Sequence, residues 1–106
     1  MEPVFLIVLD RATGPEREAV HEAVKAHTSR GWWHRFVNVW IVGGGKSVAE
    51  WRDVASGALE AAAGLQEQAQ SNAAILVFNL PPYDERDWAY HGHAGEERMA
   101  WLDKFL

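Results

Sequence analysis

Residues 31–43, with the sequence GWWHRFVNVWIVG, place three tryptophans and a phenylalanine in one extended run between two segments of helical pattern. Aromatic side chains carry a large apolar area that is costly to leave in water. A sheet face bearing Trp32, Phe36 and Trp40 must therefore be covered by helices, by a second subunit or by stacked bases. The run is long enough for one strand, or for two short strands that turn near Val37 and Asn38.

Two further apolar runs, residues 4–9 and 73–80, predict strands on either side of the aromatic run in sequence. Neither run alternates with polar residues, so both faces of each strand are expected to lie out of water. Asp10 ends the first run, and two prolines follow the second.

Two helices are predicted between these strands. The first covers residues 15–29, with Thr13 or Gly14 as N-cap and a proline in the first helical position. The second starts after Ser47, which forms a capping box with Glu50, and its alanine-rich continuation to residue 72 is expected to be kinked or frayed. The apolar positions among residues 99–106 predict a short amphipathic terminal helix.

The order of these elements predicts an α+β fold, a ferredoxin-like βαββαβ sandwich with a C-terminal helix, as a single domain over residues 1–106. That architecture places both helices on one sheet face and leaves the other face bare. A homodimer that closes over the bare face is favoured, with Trp32, Phe36 and Trp40 at its interface. The alternative is that the terminal helix of the same chain folds over this face.

Composition narrows the classes of function. The chain has no cysteine, which excludes disulfides, thiolate metal sites and cysteine nucleophiles. No window reaches the roughly 18 apolar residues of a membrane span, and the N-terminus lacks the features of a signal peptide. We therefore expect a soluble, cytoplasmic protein with no membrane partner.

Charge is distributed unevenly around a net value of −5. Residues 1–46 contain six basic and five acidic side chains, whereas residues 47–106 contain four and ten. This balance disfavours broad nonspecific binding of nucleic acid, which depends on lysine and arginine. If DNA or RNA docks, we expect Arg11, Arg30 and Arg35 to make the contacts, because they flank strand ends in the less acidic half.

Some motifs are better explained by structure than by chemistry. GGGKS at residues 43–47 lacks the earlier glycine of a phosphate-binding loop, so we interpret it as a strand exit followed by a helix cap. His34 is interpreted as a packing residue, with a role in a ligand pocket as the alternative. His91 and His93, near Asp87, Glu96 and Glu97, leave a metal site open, although solvated histidines are favoured there.

Asp10 is the best single candidate for chemistry, because a carboxylate at the end of a buried strand projects where ligands commonly bind. The alternative is a structural role, in which the carboxylate bonds the backbone of the following turn.

The segments VFLIVLD, GWWHRFVNVWIV, SVAEWRDV, AAILVFNL, DWAYHGH and EERMAWLDKFL together resemble a group of small bacterial proteins related to the CRISPR-associated second Cas protein, some labelled SinR-like. The resemblance covers nearly the whole chain. It implies a ferredoxin-like fold and a homodimer. In the nuclease members, an aspartate at the end of the first strand faces its twin across the dimer axis to hold a divalent metal, and Asp10 occupies that place.

Two departures from the family shape the functional prediction. Leu9 stands where family members often carry an aromatic residue, and the second half is acidic rather than basic. We therefore predict a dimeric interaction or scaffold protein without catalysis. The alternatives are a Mg²⁺-dependent endonuclease that binds nucleic acid and acts through Asp10, and a domain that binds a small ligand against the aromatic sheet face and His34.

Overall fold

The computed structural model describes residues 3–34, 36–68 and 70–81. These residues form four strands and two helices, in the order β1 (Val4–Asp10), α1 (Gly14–His27), β2 (Gly31–Trp33), β3 (Val39–Gly43), α2 (Val48–Leu65) and β4 (Ala74–Asn79). The predicted terminal helix lies outside the described residues. Neither described helix is long and apolar enough to cross a membrane.

The four strands form one antiparallel sheet in the order β2-β3-β1-β4, so the predicted α+β class is confirmed. The aromatic run forms two strands rather than one. The amide of Val39 donates to the carbonyl of Phe36 at 3.1 Å, which closes a turn around Val37 and Asn38. β2 and β3 then pair antiparallel, with Trp33 opposite Ile41.

Both helices begin at capping boxes. The hydroxyls of Thr13 and Ser47 accept hydrogen bonds from the amides of Glu16 and Glu50, and each glutamate carboxylate accepts one from the amide of its cap. The predicted box at Ser47 is confirmed. α1 ends two residues earlier than predicted, because Thr28 is extended and its hydroxyl contacts the carbonyls of Gly31 and Gly43 at 2.8 and 2.6 Å.

The main core lies between the two helices and one face of the sheet. Alternate residues of a strand point to the same face, and the helix-covered face of β1 is formed by Phe5, Ile7 and Leu9. Their partners in this core are buried residues of β3, α1 and α2: Trp40, Val42, Val20, Val24, Trp51, Ala55 and Leu59. Both helices therefore cover the same side of the sheet.

The glycines before α2 serve the backbone. A Cβ atom on Gly43 would lie 2.7 Å from the Cβ atom of Arg30, which is closer than real Cβ contacts. The chain thus needs glycine where β3 passes the start of β2. With Ser47 acting as the cap of α2, this geometry agrees with the interpretation of GGGKS as a strand exit and helix start.

Candidate functional site

The sheet face opposite the helices is apolar across all four strands. We call it the open face, and the structure describes on it Val4, Leu6, Val8, Trp33, Val39, Ile41, Leu76 and Phe78. Val4, Trp33 and Ile41 are buried in a second, smaller cluster with Leu6 and Leu80. In contrast, the part of the open face formed by β4 is exposed to solvent, since Leu76 and Phe78 are 54% and 48% exposed.

The predicted interface trio does not share one face, which corrects the expectation from the sequence. Trp40 pairs with Ile7 and Trp32 with Val42, so both tryptophans lie on the side covered by α1, and Trp40 is fully buried. Phe36 lies in the turn and contacts Trp33 on the other side, with ring centroids 5.7 Å apart. The reason is the turn at residues 36–38. In a single strand, side chains would alternate between the two sheet faces without a break, and residues 32, 36 and 40 would lie on the same face.

Asp10 lies at one end of the open face. It pairs with Ala74 and follows Val8 on the same side of β1, and its side chain is 77% exposed. Its neighbour Arg11 lies 4.0 Å from the carboxylate, and an exposed ion pair at this distance contributes little to stability. Arg11 has φ 61, the left-handed region, so the chain turns sharply away from the sheet after Asp10.

The arginines predicted to contact nucleic acid are not brought together. Arg11 follows the last residue of β1, whereas the amide of Arg30 donates to Gly43, which pairs with Val4 at the opposite end of the strand. The length of a seven-residue strand separates the two positions, about 20 Å. Arg35 lies outside the described residues. Arg11 and Arg30 therefore form no single basic patch.

A cluster of imidazole and indole rings connects α1 to the β2–β3 hairpin. The His34 ring stacks on Trp40 with centroids 4.2 Å apart and planes at 2°. The indole Nε1–H of Trp40 donates to Nδ1 of His21 at 3.0 Å, and Trp32 contacts the same imidazole edge to face at 4.8 Å. The two histidine rings lie 5.0 Å apart.

The hydrogen bonds determine the tautomer of each neutral ring. An indole N–H can only donate, so Nδ1 of His21 carries no proton and Nε2 carries it. Nδ1 of His34 lies 2.9 Å from the carbonyl of Val39, which can only accept, so His34 carries its proton on Nδ1. His21 therefore offers Nε2 as a donor and His34 offers Nε2 as an acceptor.

The surroundings of His21 favour its neutral form. Burial lowers the pKa of His21, and the nearby His34 and Lys25 lower it further, while Glu22 and Glu18 act in the opposite direction. His34 packs against Trp40, as the sequence predicted, and does so on the helix-covered side rather than on the open face. A ligand bound to the open face would therefore not be lined by His34.

A shallow groove of about 240 Å³ lies between α2 and β4, lined by Val48, Ala49, Arg52, Ile75, Leu76 and Val77. The guanidinium of Arg52 is bonded to Asp53 at 3.0 Å. Within the described ranges, no group of three or more histidine or acidic side chains could hold a metal ion. Asp87, His91, His93, Glu96 and Glu97 lie outside those ranges.

Sequence reasoning missed two residues. Glu16 is buried, and besides its capping box it accepts a hydrogen bond from the hydroxyl of Ser71. The T-x-x-E pattern at residues 13–16 was a usable signal for the box, since it matches the S-x-x-E pattern recognised at residues 47–50. His21 had no such signal, because its role depends on the register that brings Trp40 beneath α1.

Comparisons of the chain with protein-family models, with curated proteins and with solved structures find no significant match.

Proposed function

We propose that this protein is a homodimeric interaction module with a ferredoxin-like fold, related to the small CRISPR-associated family that it resembles, and that two copies associate through their open faces. The succession of strands and helices in the chain supports this fold, as does the packing of both helices on one side of the sheet. The single observation that carries the proposal is the exposure of Leu76 and Phe78 on a sheet face whose described residues are apolar apart from Asp10 at its end.

A second copy is the occupant that this surface favours. Apart from Asp10 at its end, the described residues of the open face carry no charge, so a charged partner gains nothing from it. A two-fold axis brings the same neutral surface from the partner and removes the exposed Leu76 and Phe78 of both copies from water. Apolar burial of this kind is the main favourable term in association.

Replacing Phe78 by aspartate is expected to convert a dimer into a monomer, because it introduces an unpaired charge into the buried face. Sedimentation equilibrium of the full chain at micromolar concentrations measures the change. Leu65→Asp provides the matched control, since Leu65 is 89% exposed and lies at the end of α2, away from the sheet. We expect the control to remain dimeric. A monomeric wild-type protein, or a Phe78→Asp variant that still dimerises, would contradict the proposal.

A second candidate function is metal-dependent cleavage of a phosphodiester, and the position of Asp10 supports it. A face-to-face dimer brings the two copies of an exposed carboxylate to the same layer between the sheets. Mg²⁺ is commonly held by one or two carboxylates with water completing the shell, so the two copies of Asp10 fit its donor requirement. The ion would supply polarisation of water and of the phosphoryl oxygens.

For this candidate, Asp10→Asn is expected to abolish Mg²⁺-dependent cleavage of DNA or RNA and to leave the dimer intact, since the amide keeps the size of the side chain but lacks the charge that binds the ion. A nuclease assay with and without Mg²⁺, run beside sedimentation of the same preparation, measures both. Cleavage that survives the substitution would exclude Asp10 as the catalytic residue.

A further inference from the structure

The hydrogen bond between Trp40 and His21 exists in only one protonation state of the histidine. The indole Nε1–H supplies a donor and no acceptor, so the bond requires a lone pair on Nδ1 of His21. A protonated imidazole has a proton on both nitrogens. Protonation of His21 would therefore place two N–H donors, Nδ1 of His21 and Nε1 of Trp40, 3.0 Å apart. Trp40 is fully buried, so its donor has no access to water. A buried donor without an acceptor is costly, so the two groups must separate.

We propose that His21, Trp40 and His34 form an acid-sensitive latch, which holds α1 against the β2–β3 hairpin while His21 is neutral and releases it when His21 is protonated. α1 supplies His21, β3 supplies Trp40, and the segment between the strands supplies His34. Release loosens this contact between α1 and the hairpin without unfolding the sheet, because Val20 and Val24 keep α1 packed in the main core and the strand ladders do not involve the three ring side chains.

The charged and titratable groups around His21 come from two places. Its own helix contributes Glu18, Glu22 and Lys25, and the segment after β2 contributes His34, with the imidazole rings 5.0 Å apart. The described residues of β2 and β3 contribute only uncharged side chains, among them Trp32 and Trp40. A second positive charge at His34 would further oppose protonation of His21, whereas the two glutamates favour it.

The direction of the pH dependence follows from these groups. Burial and the neighbouring His34 lower the pKa of His21 in the folded protein below the ordinary histidine value of about 6.5. A histidine whose folded pKa is depressed contributes stability above its unfolded pKa and loses that contribution as the pH falls toward the folded value. The latch is therefore closed at neutral pH and opens in mild acid.

The same geometry disfavours a metal chelate formed by His21 and His34. A neutral histidine that binds a metal through Nε2 carries its proton on Nδ1 and donates it to a second group. His34 has that arrangement toward the carbonyl of Val39. His21 has the reverse arrangement, with Nδ1 accepting from Trp40, so its Nε2 holds a proton and has no lone pair for a metal.

Nitrogen NMR of the histidine rings in the full-length wild-type chain tests the latch without any substitution. We expect His21 to carry its proton on Nε2 at pH 8 and to titrate below the ordinary histidine value, and the indole N–H resonance of Trp40 to shift over the same pH interval. Any of three results would overturn the proposal. These are a proton on Nδ1 of neutral His21, a pKa of His21 at or above 6.5, and an indole N–H resonance of Trp40 that does not shift as His21 titrates.

A pair of glutamine variants tests the consequence for stability. The side-chain carbonyl of His21→Gln can accept the indole N–H but cannot be protonated in this pH range, so the fall in the urea midpoint between pH 7.5 and 5.0 should be smaller than in the wild type. His27→Gln is the control, because His27 is exposed on the same helix and bonds only the Ala23 carbonyl among described residues. It should keep the wild-type fall. Equal falls in both variants would overturn the latch.

Discussion

Replacing Trp40 by alanine is expected to lower the free energy of unfolding by about 3–5 kcal/mol, the usual cost of truncating a large buried aromatic side chain. Trp40 is fully buried between α1 and the sheet, stacks on His34, and donates to His21. The substitution opens a cavity and also removes the indole donor. Because small domains are stable by only about 5–15 kcal/mol, this single change removes a large share of the total.

Urea denaturation monitored by circular dichroism measures the effect, since the remaining tryptophans complicate a fluorescence comparison. Trp40→Phe is the informative companion, because it retains most of the apolar volume and removes the indole donor. We expect it to be less destabilised than the alanine variant and to lose less stability than the wild type when the pH falls, because the indole donor that excludes a protonated His21 is gone. A Trp40→Ala protein with the wild-type denaturation midpoint would show that this cluster contributes nothing to the fold.

Glu16→Ala is expected to lower the free energy of unfolding by about 2–3 kcal/mol, because removal of a buried carboxylate leaves its donors without partners. Glu16 accepts hydrogen bonds from the amide of Thr13 and from the hydroxyl of Ser71, and so ties the start of α1 to the segment before β4. Glu50 forms the same capping box on α2 but is exposed and has no such tertiary bond among the described residues. Glu50→Ala should therefore lower the free energy of unfolding much less than Glu16→Ala does.

The contribution of Glu16 to the free energy of unfolding is expected to decrease in acid. Burial raises the pKa of the Glu16 carboxyl, but hydrogen bonds from Ser71 and Thr13 outweigh it and the pKa is lowered overall. A carboxyl with a lowered folded pKa stabilises the protein above its unfolded pKa, and this contribution is lost as the pH falls below the unfolded pKa and through the folded pKa. The difference in stability between the wild type and Glu16→Gln should thus shrink between pH 6 and pH 3. A difference that grows in acid would contradict this assignment.

Local signals in the sequence were sufficient to predict both helix starts and the strands β1 and β4. Pro15 after Thr13, and Ser47 with Glu50, marked both helix starts, because an N-cap needs only a short-range hydrogen bond. The apolar runs marked β1 and β4 within a residue or two at each end. The pattern of the aromatic run did not decide between one strand and two. The same order of side chains is compatible with a continuous strand and with a turn at residues 36–38.

The sequence by itself determined where both helices begin, where β1 and β4 lie, and that the chain must bury its tryptophans, because capping and periodicity act over a few residues. Only the tertiary structure decided which tryptophans share a face. The register of β3 on β1 places Trp40 beneath α1, beside a histidine nineteen residues earlier, while the turn places Phe36 on the other side. It likewise decided that Arg11 and Arg30 lie at opposite ends of the sheet, because pairing between distant strands sets distances that no local pattern encodes.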